Sequence, residues 1–212
     1  MEDAQLIAAR MGPDYRHLQV ETHILMGQIQ ANALVWNSRR VRILERDELV
    51  LPKRAENPLS RAERTLLSVL PLQQRMCLVF DCQVAGAVVR MYVAHLDVFG
   101  YQHKLEQFRR ILTDVEEREP ADITILAGDL NTFKMVRRPR WTALRSAAEE
   151  AGFEDLTSEI KWTHSFRRVG VRQKLDAVFV RCDRPLSYES WSADLPGSDH
   201  IPVFVDILGW AG

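Results

Sequence analysis

The chain has 212 residues, 46% of them hydrophobic and 27% charged, with a formal net charge of −1. That length and balance fit one sizeable globular domain. The near-neutral charge removes any global electrostatic case for a nucleic-acid or membrane binder and leaves only local patches to carry one.

The first element is a helix that Asp3 can cap, with Leu6, Ile7 and Met11 on its apolar face and Gly12-Pro13 at its end. His17 to Ile24 and Asn32 to Trp36 read as two strands around the turn MGQIQ, and Val41 to Leu51 as a third. Pro52 to Arg64 is polar, charged and twice broken by proline, which predicts a long loop. Met76 to Gln83 and Ala87 to Ala94 form a hairpin around Val84-Ala85-Gly86, and AHLD places His95 and Asp97 at its end. Leu105, Phe108, Ile111, Leu112 and Val115 recur at helical spacing, with Pro120 marking the exit.

The stretch Ile123 to Thr132, ITILAGDLNT, is an apolar β-branched run that stops at a glycine and a polar cluster. It predicts a buried strand whose end delivers Asp129 and Asn131 to a cleft, on one face by strand alternation. Gly128 lets another backbone or a substrate approach closely. A basic loop, Lys134 to Arg140, follows, and Pro139 sits where a second helix can start, ending near Gly152. The strand KLDAVFVR then carries Asp176, the loop DLPGSDH delivers Asp199 and His200, and IPVFVDIL closes the chain. Hairpins interleaved with two or three helices imply α/β layers and a mixed sheet.

Cys77, Cys82 and Cys182 lack metal-site spacing and lie in apolar runs, as buried free thiols in a reducing compartment do. No apolar run approaches membrane-spanning length, and the acidic start is unlike a secretion signal, so a cytoplasmic protein is expected.

His95, Asp129, Asn131, Asp176, Asp199 and His200 each sit at a strand end or in the loop before a strand. Each alone reads more readily as turn chemistry or a satisfied structural residue than as a catalytic group. Together they make the inventory for metal-assisted phosphate ester hydrolysis. Carboxylate and amide oxygens suit a hard cation, an aspartate beside a histidine fixes its tautomer, and an aspartate can deprotonate water.

AHLD (94–97), ILAGDLNT (125–132), KLDAVFV (174–180) and GSDHIPV (197–203), in that order, resemble the endonuclease/exonuclease/phosphatase superfamily. NALVWNSR (32–39) and QHKLEQFRRIL (102–112) are similar to it as well. The resemblance implies two mixed β-sheets packed face to face with helices outside both, and a site in a cleft at one edge. It implies that Asp129 activates the attacking water, Asn131 contacts the scissile phosphate, and His200 binds a phosphate oxygen in line with attack. His95 would be the second phosphate-side histidine or acid, and Asp176 would hold the phosphate-side network or a second metal. Asp199 would be a metal ligand or the partner of His200. Mg²⁺ or Mn²⁺ would be the cofactor, with Asp129, Asn131 and Asp199 as its ligands.

The family's first strand normally carries an active-site asparagine, and its second ends in a Gln-Glu pair whose glutamate is the principal magnesium ligand. Here the chain opens on the helix expected just after that glutamate, which predicts a single family-like domain over 1–212 that is N-terminally incomplete. Arg138, Arg140, Arg168 and Lys174 are the expected substrate contacts, and Trp141 and Trp162 lie nearby to stack on a base. The expected substrate is a phosphate ester, a phosphodiester such as a nucleic acid before a monoester or lipid headgroup. The rival reading is an impaired or truncated pseudoenzyme that keeps the cleft for binding.

Overall fold

A computed structural model of the chain describes residues 3–25, 28–53, 75–98, 100–132, 140–166, 170–195 and 197–210. Its framework is a six-stranded mixed sheet. The strands are β3 (Val41–Val50), β4 (Met76–Val84), β5 (Ala87–His95), β6 (Ile123–Asp129), β7 (Glu154–Asp155) and β10 (Asp176–Arg181), while β8 (His164–Phe166) and β9 (Val171–Gln173) form a short antiparallel pair of their own. Their order is β3-β4-β5-β6-β10-β7, parallel only between β5 and β6. Parallel pairing needs a crossover, and α2 (Tyr101–Glu117) supplies it.

Strand alternation divides this sheet into two buried faces. Val79, Tyr92, Leu126 and Phe179 face one way and pack on Phe108, Ile111 and Val115 of α2 and on Leu144 and Ala148 of α3 (Arg140–Glu150). Leu78, Phe80 and Cys82 face the other way and meet Leu18, Val20 and Leu34 of the hairpin β1 (Tyr15–Leu25) and β2 (Gln28–Asn37). Ile123 and Val180 on that same side meet Leu186, Tyr188 and Val205 of a second hairpin, β11 (Leu186–Ser192) and β12 (Val203–Trp210). Small side chains Ala4 and Ala8 let α1 (Asp3–Met11) close onto the first hairpin.

The result is the expected sandwich of β layers with helices outside. Among the described residues its second layer is built from two antiparallel hairpins whose strands pair only with each other. The expected strands all form with shifted ends, β5 running one residue further, to His95. The expected turn MGQIQ is shorter than its five residues, because 28–30 pair with β1 and belong to β2. Residues 26–27, most of the loop after Pro52 and the basic loop at 133–139 lie outside the described residues. The three cysteines are free thiols, and burial raises Cys82 to about 11. No described helix is long and apolar enough to cross a membrane.

The site-bearing edge is where β5 and β6 end and β10 begins. His95 pairs in register with Asp129, and Asp129 with Asp176, so three of the predicted residues meet across adjacent strands. Gly128 makes this possible. It has φ 142°, and a Cβ there would lie 1.8 Å from the Ala94 carbonyl oxygen.

Candidate active site

Asp129 lies at the centre. One carboxylate oxygen, Oδ1, accepts the Asn131 backbone N–H at 2.9 Å. The other, Oδ2, stands 3.6 Å from His95 Nε2 and 3.9 Å from His200 Nε2. Burial, then the neighbouring Asp176 charge, push the Asp129 carboxyl up to about 6, against the Asn131 N–H, His200 and Arg75. A carboxyl held there is ionised at neutral pH and still basic enough to take a proton.

His200 Nδ1–H donates to Asp176 Oδ2 at 2.8 Å. Burial alone would lower its pKa; the Asp176 hydrogen bond and the charges of Asp176, Asp129 and Asp199 outweigh that and raise it. The resemblance offered Asp199 as the partner of this ring, and the geometry gives that place to Asp176. Asp199 instead faces His164, with Oδ2 3.3 Å from its Nε2.

Asn131 departs from the expected arrangement. β6 stops at Asp129, and Asn131 sits in a turn at φ 51°, a left-handed conformation that asparagine tolerates, rather than two residues along a strand. Its side-chain N–H donates to Leu96 O at 2.9 Å, and its own carbonyl accepts Lys104 Nζ at 2.5 Å. Lys104 also donates to Val98 O at 2.7 Å, so one fully buried cation ties the loops after β5 and β6 together. The sequence carried a signal for it, a lysine on the apolar stripe of α2 in step with Phe108 and Ile111.

Thr163 positions the third strand. Its hydroxyl oxygen accepts the backbone N–H groups of Leu175 and Asp176 at 2.9 and 3.0 Å. Around it the backbone pairs Ser165 N with Asp199 O and Ile201 N with Thr163 O, which brings His164 beside His200 with ring centroids 4.7 Å apart. His164 was not among the predicted site residues; its place came only from the pairing of this segment with the Asp199-His200 loop.

Two ligand-type clusters result among the described residues. Asp129, Asp176 and His200 each offer an atom within 4.8 Å of the others, and so do His164, Asp199 and His200. Of the expected metal set, Asp129 and Asp199 are therefore divided, since Asp199 falls in the second cluster and Asp129 in the first.

Lys174 is also corrected. It is buried, its Nζ donates to Thr157 O at 2.5 Å and lies 3.4 Å from Asp155 Oδ2, and burial lowers its pKa. It braces β7 against β10 and does not present its charge to a substrate. Arg138 and Arg168 lie outside the described residues, and Arg140 opens α3 with its side chain outside them. Arg172 does border the site. Its guanidinium lies over the Trp162 ring at 4.4 Å, and both line a groove of about 750 Å³ that includes Asp199 and Ser165.

This edge, with a parallel β5-β6 pair and a sandwich behind it, matches known structures. The human Nocturnin catalytic domain with bound sulfate anion aligns with a TM-score of 0.66 at 14% identity, covering 97% of this chain and 75% of that one. An endonuclease/exonuclease/phosphatase from Bacteroides vulgatus aligns with a TM-score of 0.67 at 18% identity, covering 96% and 80%. The chain has the endonuclease/exonuclease/phosphatase fold. Danio rerio TDP2 complexed with single-strand DNA product shares the fold at a TM-score of 0.65 and 17% identity, covering 94% and 78%. The Bacteroides thetaiotaomicron mannosyl-6-phosphatase Bt3783 shares it at 0.64 and 17%, covering 94% and 79%. No protein-family model matches the sequence, and no curated protein matches it significantly. Within this fold the candidate site lies where β5 and β6 end and β10 begins.

Proposed function

We propose that the chain is a divalent-metal-dependent hydrolase of phosphate esters, acting on phosphodiesters before monoesters. One observation carries the reading: Asp129, with its pKa raised to about 6, stands between two histidines, one of which is oriented by Asp176 at 2.8 Å. Base, oriented imidazole and second imidazole converge at one sheet edge, which is the set that in-line displacement at phosphorus needs.

In this mechanism Asp129 takes a proton from water as its oxygen bonds to phosphorus and the bond to the leaving oxygen breaks. His200, kept protonated by Asp176, hydrogen-bonds a non-bridging oxygen and offsets the charge that develops there. His95 supplies the proton to the leaving oxygen. Asn131 has two amide hydrogens, of which Leu96 O takes one, and the second contacts the phosphate. The carboxylates of Asp129 and Asp176 fit a hard divalent cation, and Mg²⁺ or Mn²⁺ held there would neutralise phosphate charge.

Preference for a diester is supported by the groove beside Asp199. Arg172 and Trp162 in it give an anion contact and a flat apolar surface for a second ester substituent. The TDP2 neighbour is complexed with DNA product, while Bt3783 is a mannosyl-6-phosphatase, so the fold accommodates both substrate classes. The test is hydrolysis of bis-(p-nitrophenyl) phosphate beside the monoester, with Mg²⁺ or Mn²⁺. Turnover of the diester that disappears in Asp129→Ala is expected. Turnover that persists in this variant removes Asp129 from the role of base.

A further inference from the structure

His164, Asp199 and His200 form a donor set unlike the carboxylate pair next to it. Two imidazoles and one carboxylate suit borderline first-row cations such as Zn²⁺, where carboxylate-rich sets suit Mg²⁺. Their donor atoms lie within 4.8 Å of one another. With Zn–N and Zn–O bonds of about 2.0–2.2 Å, tetrahedral geometry puts neighbouring donors roughly 3.3–3.5 Å apart. The His164 Nε2 to Asp199 Oδ2 separation is already 3.3 Å.

Two further observations support a ligand role. His200 uses Nδ1 on Asp176, which leaves Nε2 to ligate and reproduces the carboxylate–histidine–metal arrangement that orients zinc-bound imidazoles. The backbone then fixes all three positions, because His164 bridges to His200 and Ser165 N donates to Asp199 O at 2.9 Å. Asp199 is exposed, giving an entry path, while His164 is buried beneath it.

We propose that His164, Asp199 and His200 bind a borderline transition-metal cation, Zn²⁺ in the first instance, at a site that adjoins the Mg²⁺ carboxylates and shares His200 with them. His200 belongs to both donor sets, so a Zn²⁺ ion on it withdraws that imidazole from the phosphate. Only this inhibitory consequence rests on the hydrolase reading; the binding does not.

The experiment is titration of the full chain with Zn²⁺ against a chromophoric chelator in millimolar Mg²⁺, repeated with Co²⁺ to read its d–d absorption. Wild type is expected to take up one Zn²⁺ despite the Mg²⁺, with Co²⁺ giving the intense visible bands of a four-coordinate nitrogen and oxygen site. Asp199→Ala, at an exposed position that does not threaten folding, and His164→Ala each weaken binding at least about tenfold. Cys182→Ser, at the half-buried thiol, leaves binding unchanged. No Zn²⁺ uptake in Mg²⁺, uptake unchanged in both Asp199→Ala and His164→Ala, or uptake lost in Cys182→Ser would overturn the proposal. Zn²⁺ uptake that needs Asp199 in a protein with no hydrolytic activity would sustain this site and sink the hydrolase reading. Turnover without such uptake would do the reverse.

Discussion

Replacing Gly128 with alanine tests whether the site depends on the close approach of β5 and β6. The added Cβ would lie 1.8 Å from Ala94 O and 2.8 Å from Ala94 C, both backbone atoms that cannot swing aside. The two strands must separate by more than an ångström at the pair directly before His95 and Asp129. Adopting positive φ costs an L-residue about 1–2 kcal/mol. Overpacking adds about 1–3 kcal/mol. Weakening a ladder hydrogen bond such as Leu96 N to Asp129 O adds roughly 0.5–1.5 kcal/mol. The expected loss is therefore about 3–6 kcal/mol, read as a fall in the urea midpoint at constant slope. Gly86→Ala is the control, because Gly86 also has positive φ (92°) but nothing within 4 Å of the added carbon. It should lose only the conformational part, about 1–2 kcal/mol. Equal losses in the two variants would refute the close approach and the register it enforces.

Asp176→Asn removes both the partner of His200 and a charge that helps to hold Asp129 up near 6. Activity should rise with pH as Asp129 deprotonates and fall as His200 loses its proton, and this variant should move both limbs to lower pH; limbs that stay in place in a pH–rate profile would contradict the coupling. Lys104→Met leaves the Asn131 and Val98 carbonyls without their buried donor, which should cost about 1–3 kcal/mol in denaturant unfolding and lower kcat more than it changes KM. A wild-type kcat/KM ratio retained in that variant would show that the Asn131 turn holds itself. Chelation with EDTA should abolish hydrolysis and added Mg²⁺ or Mn²⁺ should restore it; turnover in excess EDTA would remove the metal from the mechanism.

Much of this arrangement was legible in the sequence because strand ends announce themselves. ITILAGD stops being apolar where β6 stops, and β10 carries Asp176 at its start as KLDAVFVR implied. The periodicity of Leu105, Phe108, Ile111 and Val115 gave α2, though not the first turn at Tyr101. What alternation alone misplaced was Asn131, since a left-handed turn is chosen by hydrogen bonds to Leu96 and Lys104 that lie far away in the chain. Lys174 looked like a surface cation beside arginines, but its long stem reaches inward to Asp155, a carboxylate no local pattern connects to it. His164 entered the site for the same non-local reason, through pairing with residues 35 positions away.

The most direct test is the rate of bis-(p-nitrophenyl) phosphate hydrolysis by wild type, Asp129→Asn and His200→Gln in saturating Mg²⁺, each checked for native folding. The account predicts metal-dependent turnover by the wild type and a loss of at least about a hundredfold in each variant, the scale of positioned acid–base catalysis. A folded wild type that hydrolyses nothing, or variants that retain its rate, would contradict it.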